Sequence, residues 1–266
     1  MLRKLALLVA LVFAFSTGAT APASAVTDGE LDGNGHPYVG LMVAKDAKGS
    51  PLWRCSGTLI SPTVYLTAGH CTESPAASAE IWFDSDLEPE IRAGTSGYPF
   101  KGEVSGTTYT HPEYRPNQFY YRDLGIVVLK KPVKLGKYGA LPQLDQLDAL
   151  RPGEGTRFTT VGYGLQKSFP DAASWKESRL RTRMVAYPYL VQINGGLVGD
   201  FSLLLSNNAN SGGTCFGDSG GPNFVGSSNV VGGVTSFGLN GNCAGTGGVF
   251  RVDRYWSLDW VRTFLD

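Results

Sequence analysis

Residues 217–221 read Gly-Asp-Ser-Gly-Gly and residues 67–71 read Thr-Ala-Gly-His-Cys, so Ser219 and His70 each lie in a short glycine-containing segment. A serine hydroxyl attacks a carbonyl at neutral pH only when a neighbouring imidazole accepts its proton. The imidazole in turn needs a buried carboxylate that holds it in one tautomer. Asp123 comes just before an apolar, strand-like run and is the candidate for that role. These residues predict acyl transfer through a covalent serine intermediate.

The segment around Ser219 also satisfies the Gly-x-Ser-x-Gly pattern of the nucleophile elbow in α/β-hydrolases, where the catalytic histidine follows the serine. All three histidines here, His36, His70 and His111, precede Ser219. The chain order therefore excludes the elbow. Gly-Asp-Ser-Gly also occurs in ordinary turns, but the accompanying His70 and Asp123 segments favour catalysis. His36 and His111 are each followed by proline and are predicted to lie in loops or at strand edges.

Together these segments resemble the chymotrypsin family of secreted serine proteases, in the chain order His, Asp, Ser and in approximate spacing. The resemblance extends from Val26 to the C-terminal end. It implies an all-β fold of two antiparallel six-stranded β-barrels, with the active site in the cleft between them and a C-terminal α-helix. It also implies His70 as general base and acid, Asp123 as its orienting carboxylate and Ser219 as nucleophile. Neither a cofactor nor a metal is expected.

The same resemblance implies an oxyanion hole formed by the backbone N–H groups of Gly217 and Ser219. It further implies that Asp218 binds the ammonium group of the mature N-terminus, and it places Val26 at that terminus. No separate propeptide lies between the expected signal cleavage site and Val26. We therefore hypothesise that signal removal itself creates the activating N-terminus.

A primary specificity pocket is also implied, and its expected residues are Gly213 at the base, Thr214 beside it, Ser236, Phe237 and Gly238 along one wall, and Gly248 opposite. Gly213 carries no carboxylate, so the sequence does not support a preference for Arg or Lys. The glycines predict an open, neutral pocket that accepts a large apolar or aromatic side chain. The backbone of residues 236–238 is expected to pair with an extended substrate.

The first 25 residues have the three parts of a secretory signal: Arg3 and Lys4, an apolar run over residues 5–15, and small residues ending at Ala25. The apolar run is shorter than the roughly 20 residues of a membrane-spanning helix. Cleavage after Ala25 would leave a secreted, extracellular chain that carries two more acidic than basic side chains. So small a net charge does not favour nucleic acid or an anionic membrane as partner. The expected partner is a peptide or protein substrate, bound by a monomer.

Four cysteines, Cys55, Cys71, Cys215 and Cys243, favour disulfides in an exported chain, although the sequence alone allows three pairings. The family resemblance selects Cys55 with Cys71 and Cys215 with Cys243.

Short runs of β-branched and aromatic residues recur along the chain between Gly, Pro, Ser and Asn, which is typical of an all-β protein. Helical periodicity is convincing only near the end, where Trp256, Trp260 and Phe264 fall four residues apart. Asp253 is the expected N-cap of that helix.

Residues 131–142 are rich in Lys, Gly and Pro and are predicted to connect the two barrels. The expected domains are residues 26–135, which carry His70 and Asp123, and residues 136–266, which carry Ser219. The active site would then exist only where the two domains meet.

Four acidic residues alternate along one short segment: Asp84, Asp86, Glu88 and Glu90. Calcium binds carboxylate oxygens, but the alternation lacks the defined spacing of a recognised calcium loop. The sequence predicts a solvated acidic loop.

The sequence favours the function of a secreted endopeptidase. A catalytically silent binding protein on the same fold and an esterase that uses the same three residues are the alternatives. Retention of all three catalytic residues favours an enzyme.

Overall fold

The computed structural model describes residues 26–118, 121–168 and 178–265. The predicted signal over residues 1–25 lies outside the described residues. The described chain forms two closed six-stranded antiparallel β-barrels with few helices, which confirms the predicted fold.

The first barrel closes in the order β2-β3-β4-β7-β6-β5. Its strands are β2 (Val39–Lys45), β3 (Pro51–Leu59), β4 (Val64–Thr67), β5 (Ser78–Trp82), β6 (Val104–Thr110) and β7 (Gly125–Leu129). Most are rich in β-branched and aromatic residues, which suit a pleated and largely buried surface. Strand β4 is buried along its whole length, so its end is held firmly where the His70 segment begins.

The second barrel closes in the order β8-β10-β11-β14-β13-β12, with β12 returning to β8. Its strands are β8 (Gly153–Gly162), β10 (Tyr189–Ile193), β11 (Ser202–Asn207), β12 (Pro222–Val225), β13 (Val231–Gly238) and β14 (Gly245–Arg251). Strand β9 (Met184–Ala186) adds to β8, and β1 (Glu30–Leu31) pairs with β9. The start of the described chain is therefore attached to the second barrel.

Residues 130–152 connect the barrels and contain one 3₁₀ turn, Gln146–Ala149. The predicted connection over residues 131–142 lies in this segment, and the domain boundary at residue 135 stays a prediction. Each half of the chain also reaches the other barrel. Strand β1 pairs in the second barrel, while Trp260 near the C-terminus lies 5.1 Å from the His111 ring beside the first. The terminal segments thereby hold the two barrels together.

A single buried arginine also joins the barrels. Arg183 is 1% exposed, and its guanidinium pairs with Asp32 at 2.8 Å and donates to the carbonyl oxygens of Gly33, Val39 and Phe83 at 2.7, 3.0 and 2.9 Å. A buried guanidinium is tolerated only when its donors are satisfied. Here the satisfied donors fix the first barrel and the N-terminal segment against β9.

The C-terminal helix α3 (Tyr255–Arg262) buries Leu258 and Val261. Its N-cap is Arg254, and the expectation of a cap at Asp253 is wrong. The Asp253 carboxylate instead accepts hydrogen bonds from buried Arg251 at 2.7 and 2.8 Å. An ion pair with a buried guanidinium outweighs a local cap. None of the helices in the described ranges is long and apolar enough to span a membrane.

The acidic segment is only partly a solvated loop: Asp86 and Glu90 are exposed as predicted, but Glu88 is buried, which corrects the sequence interpretation there. Glu88 begins helix α2 (Glu88–Ala93), is 8% exposed, and pairs with Arg181 at 2.9 Å. Asp86 accepts a hydrogen bond from Thr182 Oγ1 at 2.9 Å. These carboxylates anchor the first barrel to the segment before β9, a partner too distant in sequence to be recognised from local spacing.

Candidate active site

His70 lies on α1 (Gly69–Thr72), a short helix that begins just after β4. Gly69 permits a close approach to the next segment, because a Cβ there would lie 3.0 Å from Leu124 N and 3.2 Å from Asp123 Oδ1. His70 N donates to Asp123 Oδ1 at 2.9 Å, and its ring Nδ1 lies 2.9 Å from Asp123 Oδ2. One carboxylate therefore binds both the backbone and the ring of His70, which fixes the ring orientation.

Asp123 is fully buried and receives a further hydrogen bond from Ser236 Oγ at 2.5 Å. The register between β13 and β14 shifts between Thr235 and Phe237, which leaves Ser236 at an irregularity in the ladder. Such a bulge can re-aim a side chain. Here it accompanies a Ser236 hydroxyl that reaches from the second barrel to a carboxylate of the first.

The residue before Asp123 has a strained backbone. Arg122 has φ of +56°, a region that side-chain-bearing residues seldom adopt. Its guanidinium stacks 4.0 Å from the centre of the Trp256 ring, and its Nε pairs with Glu113 at 3.0 Å. The guanidinium of Arg122 therefore contacts Trp256 and Glu113, and the Asp123 carboxylate binds His70.

Burial of the His70 ring lowers its pKa, but the negative charge and hydrogen bond of Asp123 outweigh that effect. Glu73 adds a smaller contribution in the same direction, and the net result is a raised pKa for His70. A raised pKa means that the imidazolium form is stabilised. That is the form that the ring takes on when it accepts a proton from a nucleophile.

The loop that carries Ser219 lies against the segment that precedes His70. Gly220 has φ of +76°, and a Cβ there would overlap Thr67 Oγ1 and lie 2.7 Å from Ala68 N. Only glycine fits so close an approach. Ser219 is thereby held beside the start of α1. Within the described ranges no hydrogen bond joins Ser219 Oγ to the His70 ring, and such bonds often tighten only when substrate binds.

Two backbone donors on this loop have no acceptor in the part of the chain that the structure describes. Among the described residues, the N–H groups of Gly217 and Ser219 make no hydrogen bond, whereas Asp218 N donates to Cys215 O at 3.0 Å and Gly220 N to Thr235 O at 2.8 Å. Gly217 has φ of +96°, which suits glycine. Two free N–H groups on either side of one residue are suited to binding a developing oxyanion.

A cavity of about 360 Å³ opens beside Ser219. Its lining includes four of the predicted pocket residues: Thr214, Ser236, Phe237 and Gly238. The disulfide Cys215–Cys243 lies in the same wall, and the second disulfide joins Cys55 to Cys71 beside His70. Both predicted pairings are confirmed.

A protein-family model described as Trypsin matches residues 31–261. The chain belongs to the trypsin family.

Individual relatives within and around the trypsin family are distant. The chain is 29% identical to brachyurin from Leptuca pugilator over 80% of its own length and 88% of that protein. It is 28% identical to ovochymase from Halocynthia roretzi over 78% of its length, but it spans only 13% of that protein. The solved structure of HL collagenase superposes with a TM-score of 0.67 at 21% identity, covering 90% of this chain and 97% of the other.

For a trypsin-family member, the surroundings of Asp218 are informative. Its carboxylate is fully buried and accepts hydrogen bonds from Gly164 N at 2.8 Å and Cys215 N at 2.9 Å. Burial raises the pKa of Asp218 to about 7, against the opposing effect of the two N–H groups and the charge of Arg54. Val26 is also fully buried, packed with Met184 and Ala186 in a separate small cluster.

Two predicted pocket residues are not on the cavity lining. At Gly213, the Asn207 carboxamide occupies the space where a side chain would begin, and Asn207 Nδ2 donates to Thr214 O at 2.7 Å. At Gly248, the Phe237 ring covers the corresponding space. Gly247 instead faces Thr214, whose Oγ1 is 2.6 Å from the position of a Cβ at residue 247. The pocket roles predicted for Gly213 and Gly248 stay predictions.

Several residues of this trypsin-family site were missed from sequence. Phe216, Leu239, Asn240 and Gly241 also line the cavity. The expected Cys215–Cys243 disulfide could have indicated these residues, because it brings residues 239–241 to the loop that carries Ser219.

His36 and His111 lie apart from His70, Asp123 and Ser219. The His36 ring binds Asp32, and the His111 ring lies 3.4 Å from Trp256 O.

Proposed function

We propose that the protein is a secreted, monomeric serine endopeptidase that hydrolyses peptide bonds through an acyl-Ser219 intermediate. The observation that carries the proposal is the joint arrangement at the cleft. A buried carboxylate is hydrogen-bonded to an imidazole, and the adjacent nucleophile loop offers two backbone N–H groups that have no acceptor among the described residues. Membership of the trypsin family supports the same reaction class.

In this mechanism Ser219 Oγ attacks the substrate carbonyl while His70 Nε2 accepts the hydroxyl proton. Asp123 holds Nδ1 and stabilises the imidazolium that forms. The carbonyl oxygen becomes an oxyanion that accepts hydrogen bonds from Gly217 N and Ser219 N. His70 then gives its proton to the leaving amine as the C–N bond breaks. Water attacks the acyl-serine ester by the same route and releases the acid.

The cavity beside Ser219 is proposed as the neutral primary specificity pocket. None of the described residues that line it carries a carboxylate, and the exposed side chains of Phe216 and Leu239 flank it. A large apolar or aromatic side chain before the scissile bond fits that chemistry. Asn207 blocks the place where a residue 213 carboxylate would stand. Profiling on a peptide mixture tests this preference, and fastest cleavage after Arg or Lys would contradict it.

We also propose that signal removal after Ala25 activates the enzyme by releasing the Val26 ammonium to pair with Asp218. Two observations support a cation here. The Asp218 carboxyl is fully buried, and no described side chain lies within ion-pair distance of it. Thr27 O accepts a hydrogen bond from Gly213 N at 3.0 Å, which brings the segment after Val26 close to the nucleophile loop. An active secreted enzyme whose N-terminus is another residue would contradict the pairing.

A peptidyl phosphonate that reacts only with an activated serine tests the proposed function. The secreted protein should be labelled at Ser219 and should cleave a peptide faster than buffer does. Absence of both labelling and cleavage would favour a binding protein on this fold. Labelling with cleavage of an ester but not of the matching peptide would favour an esterase.

A further inference from the structure

Ser56 belongs to the first barrel but contacts the nucleophile loop of the second. It follows Cys55 on β3 and is fully buried. Its backbone N–H donates to Ser219 O at 2.8 Å, and its hydroxyl donates to Gly217 O at 2.9 Å. Ser56 therefore binds the carbonyl groups of the same two residues whose N–H groups have no acceptor in the described chain.

The remaining polar contacts of Ser56 hold it in place. Tyr163 N, on the segment that follows β8, donates to Ser56 Oγ at 2.9 Å. Thr67 Oγ1, at the end of β4, donates to Ser56 O at 2.8 Å. Because Tyr163 N uses the oxygen as acceptor, the Ser56 hydroxyl proton is free to point at Gly217 O. Both barrels thus fix the orientation of this one hydroxyl.

Gly217 needs such a restraint more than its neighbours do. Glycine adopts positive and negative φ with similar ease, so the loop backbone at φ of +96° is not held by local preference. Leu165 N holds the peptide plane that carries Gly217 N–H, through Phe216 O at 2.9 Å, and Ser56 holds the next plane through Gly217 O. Rotation at the Gly217 Cα between these two planes would therefore turn its N–H relative to that of Ser219. An oxyanion donor acts only when it is already aimed at the charge that develops in the transition state.

We infer that Ser56 is a positioning residue for the oxyanion hole, holding Gly217 and Ser219 by their carbonyl groups so that both N–H groups converge on one point. This inference rests on the proposed endopeptidase function. Its distinctive consequence is that the Ser56 hydroxyl contributes to binding of the transition state and little to binding of the substrate.

Ser56→Ala removes the hydroxyl and keeps the backbone bond to Ser219. The matched control is Thr58→Val, which removes another fully buried hydroxyl from the same strand, one that donates to Tyr38 O at 3.3 Å and does not touch the loop. Loss of one donor from an oxyanion hole lowers kcat by about 10²- to 10³-fold, so a misaligned donor should lower it by about tenfold. KM should change by less than about twofold, because ground-state contacts remain.

Inhibitors separate positioning from general destabilisation. A peptidyl trifluoromethyl ketone forms a tetrahedral oxyanion on Ser219, whereas the corresponding alcohol does not. In Ser56→Ala the inhibition constant of the ketone should rise by the same factor as kcat falls, while that of the alcohol stays constant. Thr58→Val should leave both constants as in the parent. Equal ketone affinity in parent and Ser56→Ala would overturn the inference.

Two further measurements cover other outcomes. Ser56→Thr keeps the hydroxyl and should keep ketone affinity. If Ser56→Ala does not fold, a folded Ser56→Thr with weakened ketone binding would contradict the inference.

If the parent is neither labelled nor active, the proposed function fails, and hydrogen exchange of the Asp218 and Gly220 amides still reports on the loop. Exchange should accelerate in Ser56→Ala and not in Thr58→Val, and equal exchange in both would count against a positioning role.

Discussion

Asp123 and Asp218 are both fully buried carboxylates beside the same serine, yet their surroundings differ. Asp123 is bound by the backbone and ring of His70 and by the Ser236 hydroxyl. Asp218 is bound by two backbone N–H groups, and burial raises its pKa to about 7. The first carboxylate has the His70 imidazole as its partner, whereas no described cationic side chain lies within ion-pair distance of the second. The surroundings of Asp123 suit a role in catalysis, whereas those of Asp218 suit a role in the control of folding and activation.

The largest effect should come from the carboxylate that binds His70. Asp123→Asn is expected to lower kcat by about 10⁴-fold, because an amide favours the wrong imidazole tautomer while it preserves shape. Steady-state hydrolysis of a peptide substrate measures this. Asp259→Asn on the exposed face of α3 is the control, since the Asp259 side chain is 71% exposed. A loss of less than about tenfold in Asp123→Asn would remove Asp123 from the catalytic machinery.

The second prediction concerns stability before signal removal, in the uncleaved chain carrying Ser219→Ala to prevent self-digestion. The pKa of Asp218 is raised from an unfolded value of 3.8 to about 7. Between these two pH values the folded state holds a proton that the unfolded state has lost, so the contribution of Asp218 to stability is complete below pH 3.8 and is lost as pH rises towards 7. The contribution lost is of the order of 4 kcal/mol.

Urea unfolding at several pH values measures this loss. The matched variant adds Asp218→Asn, whose amide does not titrate, and should lack the decline. The cleaved chain should also lack it, because the Val26 ammonium keeps Asp218 ionised. Identical pH profiles with and without Asp218→Asn would contradict the assignment of the raised pKa.

The third prediction is the effect of Asp218 on activity. Removing one partner of a buried ion pair costs about 3 kcal/mol or more, so Asp218→Asn should lower kcat/KM of the cleaved enzyme by about 100-fold. Peptide hydrolysis by N-terminally sequenced protein measures it. Full activity in this variant would show that no ion pair shapes the nucleophile loop.

Glu73 should have the smallest effect. Its negative charge contributes to the raised pKa of His70, less than Asp123 does. Glu73→Gln removes this charge and should lower the pKa of His70. Because His70 must be neutral to act as base, the acidic limb of the kcat/KM profile should then move to lower pH by a few tenths of a unit. The shift should shrink in 1 M salt, where partly exposed charges are screened. A shift to higher pH would contradict the sign of the effect.

The sequence predicted the parts of this molecule that depend on local chemistry. The short apolar runs indicated an all-β chain, and the segments around His70 and Ser219 led to a resemblance that implied both barrels and both disulfides. The failures arose where burial and tertiary contacts decide the outcome. Asp253 looked like a helix cap but pairs with Arg251, which is only two residues away but fully buried, and Glu88 looked solvated but pairs with Arg181, which is distant in sequence. Local spacing reveals neither the burial of Arg251 nor the approach of Arg181.

Two of the six predicted pocket residues are not among the described residues that line the cavity. The ladder between β13 and β14 shifts register near Ser236, and Gly248 lies under the Phe237 ring. The Asn207 carboxamide fills the space beside Gly213 from another strand. Neither feature follows from residue types, because both depend on how strands align after the barrel closes.

The rate at which a peptidyl phosphonate phosphonylates Ser219 tests the central claim most directly, since attack of the serine on phosphorus requires the serine, the imidazole and the oxyanion donors together. We predict rapid labelling of the secreted protein and a decrease of at least about 10³-fold in His70→Ala. Equal labelling of the parent and His70→Ala would contradict the account.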